Sequence, residues 1–191
     1  QHQGASALTV IPHQQLLSWS EEAIVPLIMH FSTLGSVPLR HAASSLRPSL
    51  TVANGQWLAM TRRCYDVIGG HEGVKDAIVE DMVLCKRIKQ EGRRVCTALA
   101  FSQLSVRMYN SFQGIREGFG KNLYGLMQYR KTNFGLVGFL FFVVAMLPWL
   151  LPLSGGIGWW LPLVGLLWMR TELALLAGHS VRSILLHPVG S

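Results

Sequence analysis

The stretch DAIVEDMVLCKRIKQEGRRVCTALA, residues 76–100, predicts most clearly how this chain folds. Its first part predicts a helix over residues 76–91, because apolar side chains recur there at the spacing of one helix face. Those side chains are Val79, Met82, Val83 and Ile88. Gly92 ends the helix, since glycine is favoured just past a helix C-terminus, and residues 94–100 then read as a strand. A helix followed directly by a strand indicates an α/β domain.

Two further strand regions lie before this helix. Residues 5–11 (ASALTVI) are rich in strand-forming residues, and the pattern predicts that the strand ends at Pro12. Residues 50–60 (LTVANGQWLAM) predict a strand, a turn at Asn54-Gly55 and a second strand. These segments extend the α/β pattern over the first half of the chain.

Composition and charge narrow the class of protein. Of the 191 residues 50% are apolar and 14% are charged, against roughly 25% charged in an average soluble domain. This composition excludes a disordered chain or a disulfide scaffold, and three cysteines without a CxxC pair indicate reduced thiols. The net charge is +7, and residues 61–131 carry 13 basic against 7 acidic side chains. That basic block favours a membrane surface or a phosphate-bearing ligand over nucleic acid, for which no motif is present.

An uncharged run of 38 residues, 132–169, distinguishes the later part of the chain. Residues 134–153 are long enough to cross the roughly 30 Å hydrocarbon core of a bilayer, and residues 158–177 form a second candidate span. Arg130 and Lys131 come just before the first span, so the positive-inside rule places the preceding residues in the cytoplasm. The alternative is a pair of buried helices in a large soluble core.

The second candidate span contains two charged residues, Arg170 and Glu172. A charge inside a span is costly, so these residues could pair with each other, face protein, or mark the end of the span. The sequence leaves these three possibilities open.

Residues 109–131 combine apolar residues at helical spacing with a basic side. This pattern is typical of a helix that lies in the membrane interface, and its place just before the first span favours that interpretation. An ordinary surface helix packed on the protein core is the alternative. The apolar positions are Phe112, Ile115, Phe119, Leu123 and Leu126, and the basic ones are Arg116, Lys121, Arg130 and Lys131.

Glu80 and Asp81 are the strongest local candidates for chemistry. They lie in the first turn of the predicted helix, where the helix dipole and free backbone N–H groups favour carboxylates. That environment helps to keep a carboxylate ionised, as a general base requires. The alternative is that the two residues only cap the helix.

Three segments of the chain resemble the family 2 glycosyltransferases, which have the GT-A fold. They are NGQWLAMTRRCYDVIGGHEGV at 54–74, IVEDMVLCKRIKQEGRRV at 78–95 and SVRMYNSFQGIREGFGKNLYG at 105–125. The second matches the family pattern E-D-x-x-L-x-x-R-x-x-x-x-G. The chain looks closest to the membrane-bound branch that glycosylates lipids, including carotenoid and hopanoid glycosyltransferases, and is more distantly similar to ceramide glucosyltransferase. The resemblance covers the C-terminal half of a GT-A domain and the membrane region after it.

By this resemblance Asp81, with Glu80 beside it, forms the catalytic pair. Asp81 would take the proton from the acceptor hydroxyl in a single inverting displacement. The resemblance also implies substrate-binding roles for Asn54, Gly55, Gln56, His71, Arg107, Gln113 and Arg116. His71 could instead be a polar surface histidine, and Arg107 a member of a surface ion pair.

The chain departs from the family pattern at two points. Many relatives carry a Trp after a Q-x-x-R motif, whereas this chain has Glu117. Relatives also carry a D-x-D-type pair that binds a divalent metal, and no two aspartates here have that spacing. The resemblance therefore implies that Mg²⁺ or Mn²⁺ serves the full-length enzyme through a carboxylate site outside this chain. We expect the sequence to be a fragment of a longer hexosyltransferase, inactive in isolation.

We expect three parts: residues 1–108 as the C-terminal part of a GT-A-like catalytic domain, 109–131 as the interfacial helix and 132–191 as the transmembrane region. The resemblance implies transfer of a sugar from a nucleotide-sugar to a lipid hydroxyl. It places the catalytic part at the cytoplasmic face of a membrane, as in the bacterial inner membrane. A non-enzymatic membrane scaffold or lipid-binding relative is the alternative, suggested by the missing D-x-D pair.

Overall fold

The structure, a computed structural model, divides the chain into two compact units. It describes residues 4–29, 38–127 and 130–191. Of these, residues 4–13 and 38–106 form unit 1, and the others form unit 2. The three-part division expected from the sequence stays a prediction.

Helices and strands both occur among the described residues, which confirms the predicted α/β class. The strands come before residue 107, and the long apolar helices come after residue 130. That unit 1 is part of a GT-A fold stays a prediction. In chain order the elements are β1 (Ala5–Gln14), α1 (Trp19–Met29), α2 (Leu39–Ser44), a 3-10 turn (Pro48–Leu50), β2 (Leu58–Met60), α3 (Arg62–Val67), a 3-10 turn (Glu72–Val74), α4 (Glu80–Gln90), β3 (Arg94–Val106), α5 (Phe112–Leu126), α6 (Lys131–Leu150), 3-10 turns (Leu151–Ser154 and Ile157–Trp159), α7 (Trp160–Ala177), α8 (Arg182–Leu185) and α9 (His187–Gly190).

Strand β1 is the centre of a three-stranded sheet in unit 1, with β2 on one side and β3 on the other. It runs antiparallel to β2, and Thr9 lies opposite Leu58. The strand continues through Pro12 to Gln14, so its predicted end at Pro12 is wrong. Only residues 7–9 of β1 pair with β2. Pro12 has no backbone N–H to donate, but it lies beyond this pairing, so no hydrogen bond to β2 is lost.

The hairpin predicted over residues 50–60 forms only in part. Its second strand is β2, and its turn falls at Gly55-Gln56, one residue later than predicted. Residues 51–53 are described but are not a strand. The hydroxyl of Thr97 donates to the carbonyl of Val52 instead (3.0 Å), so a side chain holds a segment that the pattern assigned to backbone pairing.

Helix α4 begins at Glu80, four residues later than the predicted start. A helix that starts there turns Leu84, Cys85 and Ile88 towards the core, and all three are fully buried. The buried face of α4 therefore differs from the predicted apolar face. Val83, which was predicted to belong to it, is only partly buried at the edge of the core. The core cluster of unit 1 comprises Ala7, Cys64, Ile68, Val74, Leu84, Cys85, Ile88 and Val95.

The three cysteines of the chain are free and buried, in agreement with the predicted reduced thiols. Burial raises the pKa of the Cys85 thiol to about 12, and the nearby Asp81 carboxylate adds to the shift. Burial also raises the pKa of Cys64 and of Cys96 above the ordinary value. The neutral thiol form therefore dominates at all three positions at neutral pH.

Lys89 is a buried cation on α4, only 3% exposed. Its Nζ donates to the carbonyl oxygens of Ala42 (2.7 Å) and Leu50 (2.8 Å). Burial lowers the pKa of its ammonium group, which those two carbonyls solvate in place of water. The lysine therefore attaches α2 and the 3-10 turn after it to α4.

Two helical segments of unit 2 have the length and composition of membrane spans. They are Lys131–Ser154 and Ile157–Ala177, whose most apolar 18-residue stretches have mean hydropathies of 2.4 and 1.3. Gly155 lies between them with a φ of +84°, a backbone conformation that favours glycine, at the break predicted for residues 154–156. Only 6% of the most apolar part of the first segment is buried inside the structure. The helices predicted over 134–153 and 158–177 are thus present, and their crossing of a membrane is a proposal.

The two charged residues in the second of these segments lie in different surroundings. Arg170 faces protein: it is 2% exposed, and its Nη2 donates to the carbonyl of Ser183 (2.6 Å). Glu172 is exposed. Of the three possibilities that the sequence left open, contact with protein applies to Arg170.

Helix α5 covers the middle of the predicted interfacial helix, 109–131. Ile115 is buried and Phe112 is exposed. One side of the helix therefore packs on the rest of unit 2, and the side that carries Phe112 is open. The predicted helix also included residues 128 and 129, which lie outside the described residues. Its place in a membrane interface stays a prediction.

Replacing Lys89 tests how unit 1 holds the segment after residue 38. We expect Lys89→Met to lower the free energy of unfolding by about 1–3 kcal/mol, because the carbonyls of Ala42 and Leu50 lose their donor. Lys86→Met is the matched control, since Lys86 is exposed on the same helix; we expect a change within about 0.5 kcal/mol. Thermal unfolding followed by circular dichroism measures both. Equal effects of the two variants would contradict a role for the buried ammonium group.

Candidate functional site

Asp81 lies in the first turn of α4, as the sequence predicts, with Glu80 beside it. Its side chain is half-buried, whereas Glu80 is exposed. The Oδ1 atom of Asp81 accepts a hydrogen bond from the backbone N–H of Met82 (2.7 Å). A free N–H at the start of the helix therefore orients the carboxylate.

The structure brings Gly55 into contact with Asp81, 26 positions later in the sequence. A Cβ atom added to Gly55 would lie 3.2 Å from Oδ2 of Asp81 and 3.3 Å from its Cβ. The backbone of Gly55 also makes a hydrogen bond with the Asp81 carboxyl group. The 54–56 loop, predicted to bind substrate, thus lies beside the predicted base, and a side chain at position 55 would crowd that carboxylate.

Thr9 of β1 fixes this loop to the centre of the sheet. Its fully buried hydroxyl accepts from the N–H of Asn54 (2.8 Å) and donates to the carbonyl of the same residue (3.0 Å). The side chain of Asn54 then accepts from the N–H of Gln56 (2.9 Å) and forms a tight turn. Sequence reasoning missed Thr9; its signal is a hydroxyl between two apolar residues of the strand, Leu8 and Val10.

Burial raises the pKa of Asp81 above its ordinary value, and the charge of neighbouring Glu80 adds to the effect. The hydrogen bonds from Met82 and Gly55 act in the opposite direction but do not outweigh burial. The sequence predicted that the helix N-terminus keeps this carboxylate ionised. Its backbone N–H groups do lower the pKa, but burial raises it by more. A raised pKa makes the group a better proton acceptor near neutral pH.

In the pattern E-D-x-x-L-x-x-R-x-x-x-x-G, the aspartate is the residue that lies beside the 54–56 loop. The leucine, arginine and glycine of the pattern have structural roles. Leu84 fills the core. Arg87 contacts Gly73 and donates to the carbonyl of Ile68 (3.4 Å), which ties the loop after α3 to α4. Gly92 has a φ of +67°, and its N–H donates to the carbonyl of Lys89 (3.0 Å) at the end of the helix.

His71 lies in an exposed loop and is held by Tyr65. The hydroxyl of Tyr65 is 2.9 Å from Nδ1 of His71 and accepts from its backbone N–H (3.1 Å). Gly70, with a φ of +54°, lets the loop approach the Tyr65 ring, because a Cβ there would collide with it. The alternative of a polar surface histidine fits this geometry, and a substrate contact stays a prediction.

Arg107 belongs to unit 2, where its guanidinium binds a buried carboxylate. Its Nε and Nη2 donate to the two carboxylate oxygens of Glu21 (2.8 and 3.3 Å). Burial opposes ionisation of Glu21, but bonds from Arg107, Ser18 and Leu17 together hold its pKa below the ordinary value. The ion pair that the sequence left open is therefore present, and binding of a diphosphate by Arg107 stays a prediction.

Gln113 and Arg116 project from the exposed part of α5. The Nε2 atom of Gln113 donates to Oε1 of Glu117 (2.8 Å), the residue that stands where many relatives have Trp. Arg116 has no hydrogen-bond or ion-pair partner within the part of the chain that the structure describes. Substrate binding by these two residues stays a prediction.

The described residues do not fit a divalent metal. Ranges 4–29, 38–127 and 130–191 hold no group of three His, Cys, Asp or Glu side chains placed to bind one. Asp66 pairs with Arg62 (3.0 Å), and Asp81 accepts backbone N–H groups. The requirement for Mg²⁺ or Mn²⁺ stays a prediction about the full-length enzyme, and no step below uses it.

A comparison with known protein families gives a match that covers the part of the chain that contains Asp81 and the 54–56 loop. A family model described as Glycosyl transferase family 21 matches residues 25–115. The matched range includes Asp81 and the 54–56 loop and ends before Arg116, so it supports a glycosyltransferase family for this chain. No curated protein and no solved structure matches it. The family 2 branch and the similarity to ceramide glucosyltransferase stay predictions.

The raised pKa of Asp81 predicts how stability depends on pH. The ordinary pKa of this group is 3.8. At pH values between 3.8 and the raised pKa, the folded chain keeps the Asp81 proton, whereas the unfolded chain loses it. The free energy of unfolding contributed by this group therefore falls as pH rises from about 4 through the raised pKa.

We expect Asp81→Asn to remove that slope from a series of thermal melts between about pH 4 and 8. Asp66→Asn is the control, because its carboxylate is exposed in a surface pair with Arg62. A slope that persists in Asp81→Asn and disappears in Asp66→Asn would contradict the assignment.

Proposed function

We propose that this chain is part of a membrane-associated, inverting glycosyltransferase with Asp81 as its general base. The observation that carries the proposal is the contact of Gly55 with the Asp81 carboxylate. It brings together a half-buried carboxylate with a raised pKa and a loop of fixed conformation. The match to a glycosyltransferase family over residues 25–115 supports the same class of reaction.

In the proposed step, a carboxylate oxygen of Asp81 accepts the proton of the acceptor hydroxyl. The acceptor oxygen forms a bond to the anomeric carbon of the donor sugar as the bond from that carbon to the leaving diphosphate breaks. A single displacement of this kind inverts the configuration and needs no covalent intermediate on the enzyme. The N–H groups of Met82 and Gly55 keep the carboxylate aimed while its proton is gained and lost.

The acceptor in this proposal is a lipid hydroxyl. Support comes from the apolar side chains of α6 and α7, many of which are exposed. In water such a surface is costly, whereas in a bilayer it is solvated. Arg130 and Lys131 lie at the start of α6, so the positive-inside rule puts the residues before them, with Asp81, on the cytoplasmic side in this proposal. The basic block of residues 61–131 favours an anionic donor such as a nucleotide-sugar.

Transfer assays with the full-length enzyme in membranes test the role of Asp81. We expect Asp81→Asn to lower kcat by at least about 100-fold, because the amide cannot accept the proton, while donor binding stays nearly unchanged. Asp76→Asn is the matched control, an exposed aspartate just before α4, and should keep its activity. Wild-type turnover in Asp81→Asn would refute the assigned role. An enzyme with no transfer activity in any form would leave the scaffold alternative.

A single charge distinguishes a membrane span from a helix of a soluble protein. Leu140 lies within α6 and is 52% exposed. If the helix crosses a bilayer, Leu140→Arg costs about 2.5–3.5 kcal/mol on insertion, whereas in water an exposed arginine is close to neutral.

We expect Leu140→Arg to reduce the fraction of chain that resists alkaline carbonate extraction from membranes. Leu46→Arg, at an exposed position of unit 1, is the control and should not change that fraction. If both variants extract like the wild type, α6 does not span.

A further inference from the structure

Unit 1 contains a cavity of about 370 Å³ between α2 and the start of β3. Its polar lining consists of two arginines, Arg40 and Arg94, and two hydroxyl residues, Ser44 and Thr97. Its apolar lining includes Leu39 and Ala43. None of these residues belongs to the predicted catalytic or substrate-binding set, so the cavity is not explained by the proposed transfer reaction.

Neither arginine at this cavity forms an ion pair with a carboxylate of the described residues. The side chains of Arg40 and Arg94 have no hydrogen bond or ion pair with any residue in the described ranges, and no Asp or Glu is among the described residues that line the cavity. Both arginines are exposed, so an anion from solvent has access to their side chains. Guanidinium groups offer paired N–H donors in a plane, which suits the oxygens of a phosphate group.

The walls that carry these arginines are fixed by buried polar contacts. The buried ammonium group of Lys89 holds the carbonyl of Ala42, within the same short helix as Arg40 and Ser44. On the other wall, the Thr97 hydroxyl donates to the Val52 carbonyl and keeps its lone pairs free to accept. A site with fixed walls loses less entropy on binding than a flexible one.

We propose that this cavity binds a small molecule that carries a phosphate or diphosphate group, held by Arg40 and Arg94. Its volume lies near the lower end for small-molecule sites, so it accommodates more than a single ion. The phosphate contacts the two guanidinium groups, and the rest of the ligand lies against Leu39 and Ala43. The phosphate could be part of a soluble molecule or of a lipid headgroup, and the chemistry of recognition is the same for both.

Isothermal titration calorimetry on the detergent-solubilised chain tests this site. Inorganic pyrophosphate is the soluble probe, and mixed micelles containing phosphatidic acid are the lipid probe. We expect at least one probe to bind the wild type, and Arg40→Gln and Arg94→Gln each to weaken that binding by about tenfold or more. Arg47→Gln is the matched control, because Arg47 is an exposed arginine close in sequence to α2 and does not line the cavity.

Two further variants keep the test independent of folding and of overall charge. Arg94→Lys keeps the charge but removes the planar pair of donors, so we expect it to weaken binding as well. Ala43→Leu keeps both arginines and fills the cavity, and we expect it to block the ligand; circular dichroism checks that each variant folds.

The proposal is overturned if neither probe binds the wild type at millimolar concentration. It is overturned equally if Arg47→Gln weakens binding as much as Arg94→Gln does, since the attraction would then be a property of the basic surface as a whole. Binding of pyrophosphate alone supports a soluble ligand, and binding of phosphatidic acid alone supports a lipid headgroup.

Discussion

The contact between the backbone of Gly55 and the carboxylate of Asp81 is the constraint on which the site depends. It requires the 54–56 loop to stay in one place, and a buried hydroxyl on the central strand meets that requirement by bonding to both backbone groups of Asn54. A side chain at position 55 would lie only 3.2 Å from Oδ2 of Asp81, so glycine there lets the loop approach the carboxylate without displacing it. The predicted base is therefore positioned by backbone groups, and the sheet and α4 each contribute one side of the arrangement.

Side chains bonded to backbone carbonyls hold much of the irregular structure of unit 1. Lys89 holds the segment around α2, Thr97 holds Val52, and Arg87 holds the loop after α3. Each of these bonds satisfies a carbonyl that no strand or helix would satisfy. A small sheet can thus support long loops, and loops supported in this way have the fixed shape that a binding surface needs.

The sequence predicted well what depends on local pattern. The periodicity of residues 76–91 indicated α4, and the uncharged run indicated both long apolar helices. It predicted poorly what depends on partners far apart in the chain. The strand does not end at Pro12, because β2 pairs only before that residue, and nothing near Arg107 in the sequence indicates Glu21, its partner 86 positions away. The nearness of Gly55 to Asp81 was available only through a resemblance, since no spacing or periodicity implies it.

The buried thiols have a practical consequence for studying the chain. A maleimide reacts with the exposed thiolate form of cysteine, and here all three side chains are enclosed, with the pKa of Cys85 raised to about 12. The native chain therefore behaves as a nearly unreactive background for thiol labelling. A single cysteine introduced before α6, or in the break at Gly155, would report which side of a membrane it faces without removal of any native thiol.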